Sequence, residues 1–271
     1  GTLTAQDGGF DAQIWDNSTY QDVKAALTIG GAPAKSPIIM RTVQRLALTI
    51  APMPAPTDQA VWSLLGARLD VLAKIGDAQG HHALSARIPN DIAPLSILKK
   101  KADIALMVDD WPMACAAGAE GLSRTPTRTW TSLRLACRAG EGSRSAVDLL
   151  LDTTDASAMP SRAVRQAVEA VLAQTAGGQT DRPRQRQAVD QTTASPLLAA
   201  LARLTGGAPD VAAPEVDVLS LEPLRISVLA RSNALAAGRA LASRAGAGLW
   251  RTLQRSCAAG IRHQRARQHA R

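Results

Sequence analysis

Few side-chain groupings in this sequence could do chemistry. Asp109 and Asp110 are adjacent acids, the residue type that general acid–base catalysis uses. They stand between two apolar helical segments, just ahead of Trp111. An Asp there accepts hydrogen bonds from the free N–H groups of the next helix, so helix capping is the expected role. His81 and His82 are also adjacent. On a helix, neighbours point about 100° apart and cannot grip one ion together, so a solvent-facing helix surface is expected there. His263 and His269 fall in a basic tail, where they add titratable charge. Cys115, Cys137 and Cys257 include no closely spaced pair. Their spacing suggests neither a disulfide framework nor a zinc site, and Cys115 and Cys137 are expected as small apolar side chains within helices. Nucleophile elbow, phosphate-binding loop, dinucleotide turn and H-E-x-x-H are all missing from the sequence. No cofactor, metal or small-molecule substrate is inferred, and a non-enzymatic role is expected.

The binding candidates are cationic and aromatic. Lys99, Lys100 and Lys101 form a short basic run entering a helix, read either as a solvated face or as a contact for an anionic partner. Trp62, Trp111 and Trp130 each open a helix, where a large flat side chain wedges neighbouring hairpins or meets a peptide. From this set Lys99, Lys101, Trp111 and Arg134 are the expected partner-binding residues. The net charge of +8 is concentrated at one end. Residues 223–271 hold 10 Arg and no acid, whereas residues 1–222 hold 21 Lys+Arg against 23 Asp+Glu. Arg251, Arg255, Arg262, Arg265, Arg267 and Arg271 could therefore engage an anionic membrane or nucleic acid. The tail lacks interleaved aromatics for base stacking. It is also what a shifted reading frame in GC-rich DNA would encode.

The elements that must position these residues are helical. The chain has 52 alanines but only one Phe and one Tyr, a composition that favours helix over sheet. No apolar run approaches the length of roughly 18 residues that a membrane-spanning helix needs. Tyr20 to Leu27 reads as a short helix ended by Gly30-Gly31. Ser36-Pro37 then starts a helix with Ile39, Val43, Leu46 and Ile50 along one stripe. From residue 58 a cycle recurs of helix, Gly/Asp turn, helix and proline. Its helices run over 61–75, through Leu84 and Ile88, then 97–108, 111–122, 130–139 and 143–151. The turns are expected at 76, 109 and 140, and the closing prolines are Pro89, Pro126 and Pro160. A period in the low thirties of this kind signals stacked helical hairpins that share one core. Arg162 to Ala173 and Pro196 to Leu204 read as further helices, and 221–253 is helical by pattern.

These residues resemble the tetratricopeptide family. The corresponding positions are Trp62 or Leu65, Gly76 and Pro89 in the first unit, and Trp130, Leu133, Gly140, Ala146 and Pro160 in the third. The middle unit carries Asp109 where the family prefers Gly, and the aromatic of the second helix is absent throughout. The Leu69 to Asp77 run, the Trp130 to Gly140 segment and the block after Ser195-Pro196 are also similar to a group of uncharacterised alphaproteobacterial helical-repeat proteins. Some of those carry the label "antifreeze glycopeptide polyprotein". That label suits Ala/Thr tripeptide repeats, which this chain lacks, so no antifreeze role is carried over. The resemblance implies an all-α fold, a right-handed α-solenoid of stacked helical hairpins with disordered termini. It implies a bacterial protein that is periplasmic or cytoplasmic, with the periplasm favoured.

The expected organisation is a polar N-terminal segment (1–36), a helical-repeat domain (37–176) and a linker or mobile loop (177–195). Further helices pack on the solenoid (196–253), and a basic, disordered tail follows (254–271). The expected function is a protein-interaction scaffold that binds a partner peptide or helix on its repeat surface. Two rivals remain. One is the superhelical accessory region of a cell-wall-processing enzyme, as in soluble lytic transglycosylases, although no acid follows Glu222 to serve a catalytic module. The other is an adaptor tethered to an anionic membrane or nucleic acid through its Arg-rich tail.

Overall fold

The computed structural model describes residues 1–30, 36–176 and 195–205. Among them the regular structure is helical: α1 (Tyr20–Gly30), α2 (Pro37–Leu48), α3 (Asp58–Lys74), α4 (Ala78–Ala86), α5 (Leu95–Met107), α6 (Trp111–Arg124), α7 (Arg128–Gly140), α8 (Arg144–Asp152), α9 (Arg162–Ala176) and α10 (Pro196–Leu204). Several helices start where the sequence supplies side-chain oxygens. Thr57 accepts from the Ala60 N–H, Asp77 from Gly80, Asp110 from Met113 and Ser195 from Leu198, each satisfying a donor that the first helical turn leaves free.

Three helices stop in the same way. The backbone turns into the left-handed region at Gly76 (φ 74°), Asp109 (φ 63°) and Gly142 (φ 73°), 33 residues apart each time. In each turn two N–H groups fold back onto the helix end: Gly76 and Asp77 onto Ala73 and Leu72, Asp109 and Asp110 onto Leu106 and Ala105, Gly142 and Ser143 onto Ala139 and Arg138. This is the Schellman arrangement, which uses carbonyls the helix cannot bond itself. The third turn thus lies at Gly142, two residues beyond the position expected at Gly140. Gly140 still belongs to α7, because only a residue at 142 can take the left-handed conformation in register with 76 and 109.

Consecutive helices pair from α3 through α7, and α7 also holds α8 and α9. At one end α1 and α2 lie on α3, and α2 reaches α4. At the other, α10 comes back across α5, α7 and α9. One aliphatic cluster runs through all of this, from Val23 and Leu27 to Leu197, Ala200 and Leu201. Alanine and glycine set its spacing where α6 meets α7: Ala114, Ala117, Gly118 and Gly121 are the buried residues of α6. A Cβ on Gly118 would come within 2.8 Å of the Leu133 side chain, and one on Gly121 would strike the Trp130 ring.

Two expectations are overturned here. Cys115 on α6 and Cys137 on α7 form a disulfide, with Cα atoms 5.8 Å apart. Their 22-residue separation spans one connection between antiparallel helices, so the fold brings together what linear spacing keeps apart. The N-terminal end is also ordered. The Thr2 and Leu3 N–H groups donate to the Leu48 carbonyl, Leu3 bridges Thr49, and Ile50 donates back to Leu3. Residues 1–30 are accordingly continuous with the core, to which α1 contributes Val23 and Leu27.

Candidate helix-binding site

The face made by α5, α7 and α9 carries a helix of this same chain. α10 has nine residues, PLLAALARL, with Leu197, Ala200 and Leu201 at the i, i+3, i+4 spacing that puts them on one side. Those three are its buried residues, while Leu204 faces solvent. Its C-terminal end is fixed by polar contacts. The Arg203 guanidinium donates to Asp109 Oδ1 at 2.9 Å and to the Leu106 carbonyl, and Gln174 Nε2 donates to the Thr205 carbonyl at 2.8 Å. Arg203 thus places a cation where α5 ends and its last carbonyls point outward, the favourable end of the helix dipole for positive charge. The Asp109 side chain is 56% exposed, so this pair orients α10 more than it stabilises it.

Asp109 and Asp110 divide the work of the turn between them. Asp109 takes the left-handed conformation and meets Arg203. Asp110 caps α6 and also meets His82 Nε2 at 2.8 Å, which ties α4 to the start of α6. Burial alone would raise the Asp110 carboxyl. The Met113 N–H, His82 and the Lys101 charge outweigh it and hold the group below its ordinary value. The capping expectation therefore holds for Asp110, and the acid pair is engaged structurally on both sides.

The expected partner-binding residues fare unevenly. Lys101 is buried, at 5% exposure, and its Nζ donates to the Ile88 carbonyl at 2.6 Å. It is thus a bond inside the fold, unable to meet a partner; burial lowers its pKa. Lys99 stays exposed and pairs with Asp103 one turn along at 2.6 Å. Trp111 opens α6 half-buried against the core, and Arg134 is half-buried on α7. Arg134 and Lys101 share a position in the 33-residue register with Arg68. That arginine is 4% exposed, donates to the Ala47 and Thr49 carbonyls, and is lowered by burial to about 10. His81, expected at the solvent, is 4% exposed, since the solvent side of α4 belongs to its neighbour His82. Arg251, Arg255, Arg262, Arg265, Arg267 and Arg271 lie outside the described residues, as does the helix expected over 221–253.

Other sites are sparse. An open cleft of about 460 Å³ lies between the starts of α3 and α5, lined by Gln59, Trp62, Ser63, Pro94, Ser96 and Ile97, and none of these carries a charge. Among the described residues no group of three His, Cys, Asp or Glu could hold a metal ion, and no helix is long and apolar enough to cross a membrane. Arg203, Gln174 and the buried side of α10 were not named from the sequence. The only signal for them was the amphipathic pattern over 196–204. No family model, curated protein or solved structure matches the chain.

Proposed function

We propose that this protein is a non-enzymatic interaction scaffold, a tetratricopeptide-like solenoid of stacked hairpins that binds a partner peptide or helix. The solenoid reading is supported by three identical turns at a 33-residue interval and by the sequential pairing of α3 through α7. The binding reading rests on one observation: α10, a short amphipathic helix, is seated across α5, α7 and α9. A surface that accepts one such helix has the shape and apolar character to accept another. The Cys115–Cys137 disulfide favours an oxidising compartment, in keeping with a periplasmic protein.

Affinity capture from native extract tests this reading. The intact chain is compared with an Arg134→Glu variant, which reverses a half-buried charge on α7, and with Leu149→Glu on the exposed side of α8. At least one polypeptide retained by the intact chain and by Leu149→Glu, and lost with Arg134→Glu, is expected. Identical captures from all three refute the scaffold.

A further inference from the structure

We infer that α10 is a resident ligand of the α5–α7–α9 face, and that the partner recognised there is a short amphipathic helix of the same chemistry. That helix carries leucine or alanine at the positions of 197, 200 and 201, and an arginine at the position of 203. The inference rests on the scaffold reading and names its ligand. Three observations carry it. The anchoring side of α10 is small: Leu197, Ala200 and Leu201 are buried, and Leu198 is partly buried against the core. Its charged end is complementary to the receiving face, where Asp109 and the Leu106 carbonyl accept from Arg203. A nine-residue helix is also too short to persist alone in water, so α10 is helical because it is docked.

The connection is long enough for exchange. Eighteen residues, 177–194, join α9 to α10, and a chain of that length reaches at most about 60 Å. A connection of that length does not by itself fix α10 on the face; what holds it there is its contact with α5, α7 and α9. For a flexible tether of that length the effective concentration is on the order of millimolar. A partner helix displaces α10 only if it binds more tightly than that threshold or is supplied above it. The face is thus closed to weak, non-specific apolar segments, and Asp109 sets the orientation of the helix that it admits.

The probe is a fluorescein-labelled peptide of residues 195–205, titrated by anisotropy into the full chain and into its Leu197→Asp/Leu201→Asp variant. Binding to the variant at least tenfold tighter than to the unaltered chain is expected. An Arg203→Gln peptide should bind the variant more weakly, and that difference should narrow when Asp109→Asn is added to the receiving chain, the remainder being the bond to the Leu106 carbonyl. Asn keeps the left-handed turn while removing the charge. Equal binding to the unaltered chain and the variant overturns the inference, as does no binding to a variant that keeps its helical circular dichroism.

If the variant loses its helices, a protease site placed within 177–194 gives the second format. After cleavage, excess labelled peptide should replace the released 195–271 fragment. Retention of the fragment against excess peptide overturns the inference. Either negative result leaves the scaffold to be decided by the capture comparison alone, so the two failures are distinguishable.

Discussion

Breaking the Cys115–Cys137 disulfide should cost a defined amount of stability. The bond closes a 22-residue loop across the α6–α7 seam. The chain-entropy relation for a loop of that length gives about 3 kcal/mol at 25 °C. For a chain of this size each kcal/mol moves the melting temperature by about 2–4 °C, so a fall of about 6–12 °C is expected. The assay is differential scanning calorimetry of the Cys115→Ala/Cys137→Ala variant beside the unaltered chain, with and without reductant. Thiol counting under denaturing conditions belongs with it: three cysteines in the sequence should give fewer reactive thiols before reduction than after. Alanine suits both positions, because Cys137 is buried among aliphatic side chains and Cys115 is partly buried against them. A melting temperature unchanged by reduction, in protein shown to be oxidised, would refute the claim that this bond restrains the seam. Three free thiols before reduction would remove the bond itself, and with it the argument for an oxidising compartment.

The register of the turns gives a paired test. Gly140→Ala should be neutral or stabilising by up to about 1 kcal/mol, since the position is helical with open space around it, whereas Gly142→Ala should cost about 1–2 kcal/mol at its positive φ. Urea midpoints of the two variants decide it, and a reversed order would put the turn back at 140. Gly121→Ala should cost about 1–3 kcal/mol by the same measurement, because the added methyl meets the Trp130 ring, which at 4% exposure has nowhere to swing. His81 predicts a pH dependence. Burial and the Lys100 charge lower its imidazole to about 4, against 6.5 in the unfolded chain. The unfolded state therefore takes up its proton first as pH falls, and stability present above pH 6.5 is lost down to pH 4, by about 3 kcal/mol in all. His81→Leu should flatten that part of the stability profile, and an unchanged slope between pH 6.5 and 4 would show that His81 is not its source. Lys101→Met should lower stability by about 1–3 kcal/mol through the unpaired Ile88 carbonyl without weakening capture of a partner; an effect on capture at unchanged stability would return Lys101 to the binding surface.

Helix positions were legible in the sequence because each is marked locally. Thr57, Asp77, Asp110 and Ser195 sit ahead of apolar runs and cap them, and Pro196 to Leu204 is helical as its pattern indicates. What depends on contact between distant segments was not legible. The i, i+3, i+4 pattern of α10 announces a buried side without saying which helices bury it. Cys115 and Cys137 look unrelated until α6 and α7 lie antiparallel. The period itself was read as 33 and then 31, because Gly140 resembles a turn residue as strongly as Gly142 does. Only the backbone conformation separates them.

Arg68, Lys101 and Arg134 show why charge misled the search for a binding surface. In a single amphipathic helix a cation marks the solvent side, and Lys101 was read that way. Where a helix packs between neighbours, a long cationic side chain can turn inward and donate to carbonyls that a preceding segment leaves free. Arg68 does this for the end of α2, and Lys101 for the segment after α4. The acceptors differ between the two, Ala47 and Thr49 for Arg68 and Ile88 for Lys101, while Arg134 at the same spacing is half-buried on α7. Arg68 and Lys101 therefore hold neighbouring segments together within the fold. Charge available for recognition is better sought where the register is broken, as at Asp109. There an acid replaces the turn glycine, and its side chain reaches out of the stack to Arg203 of α10.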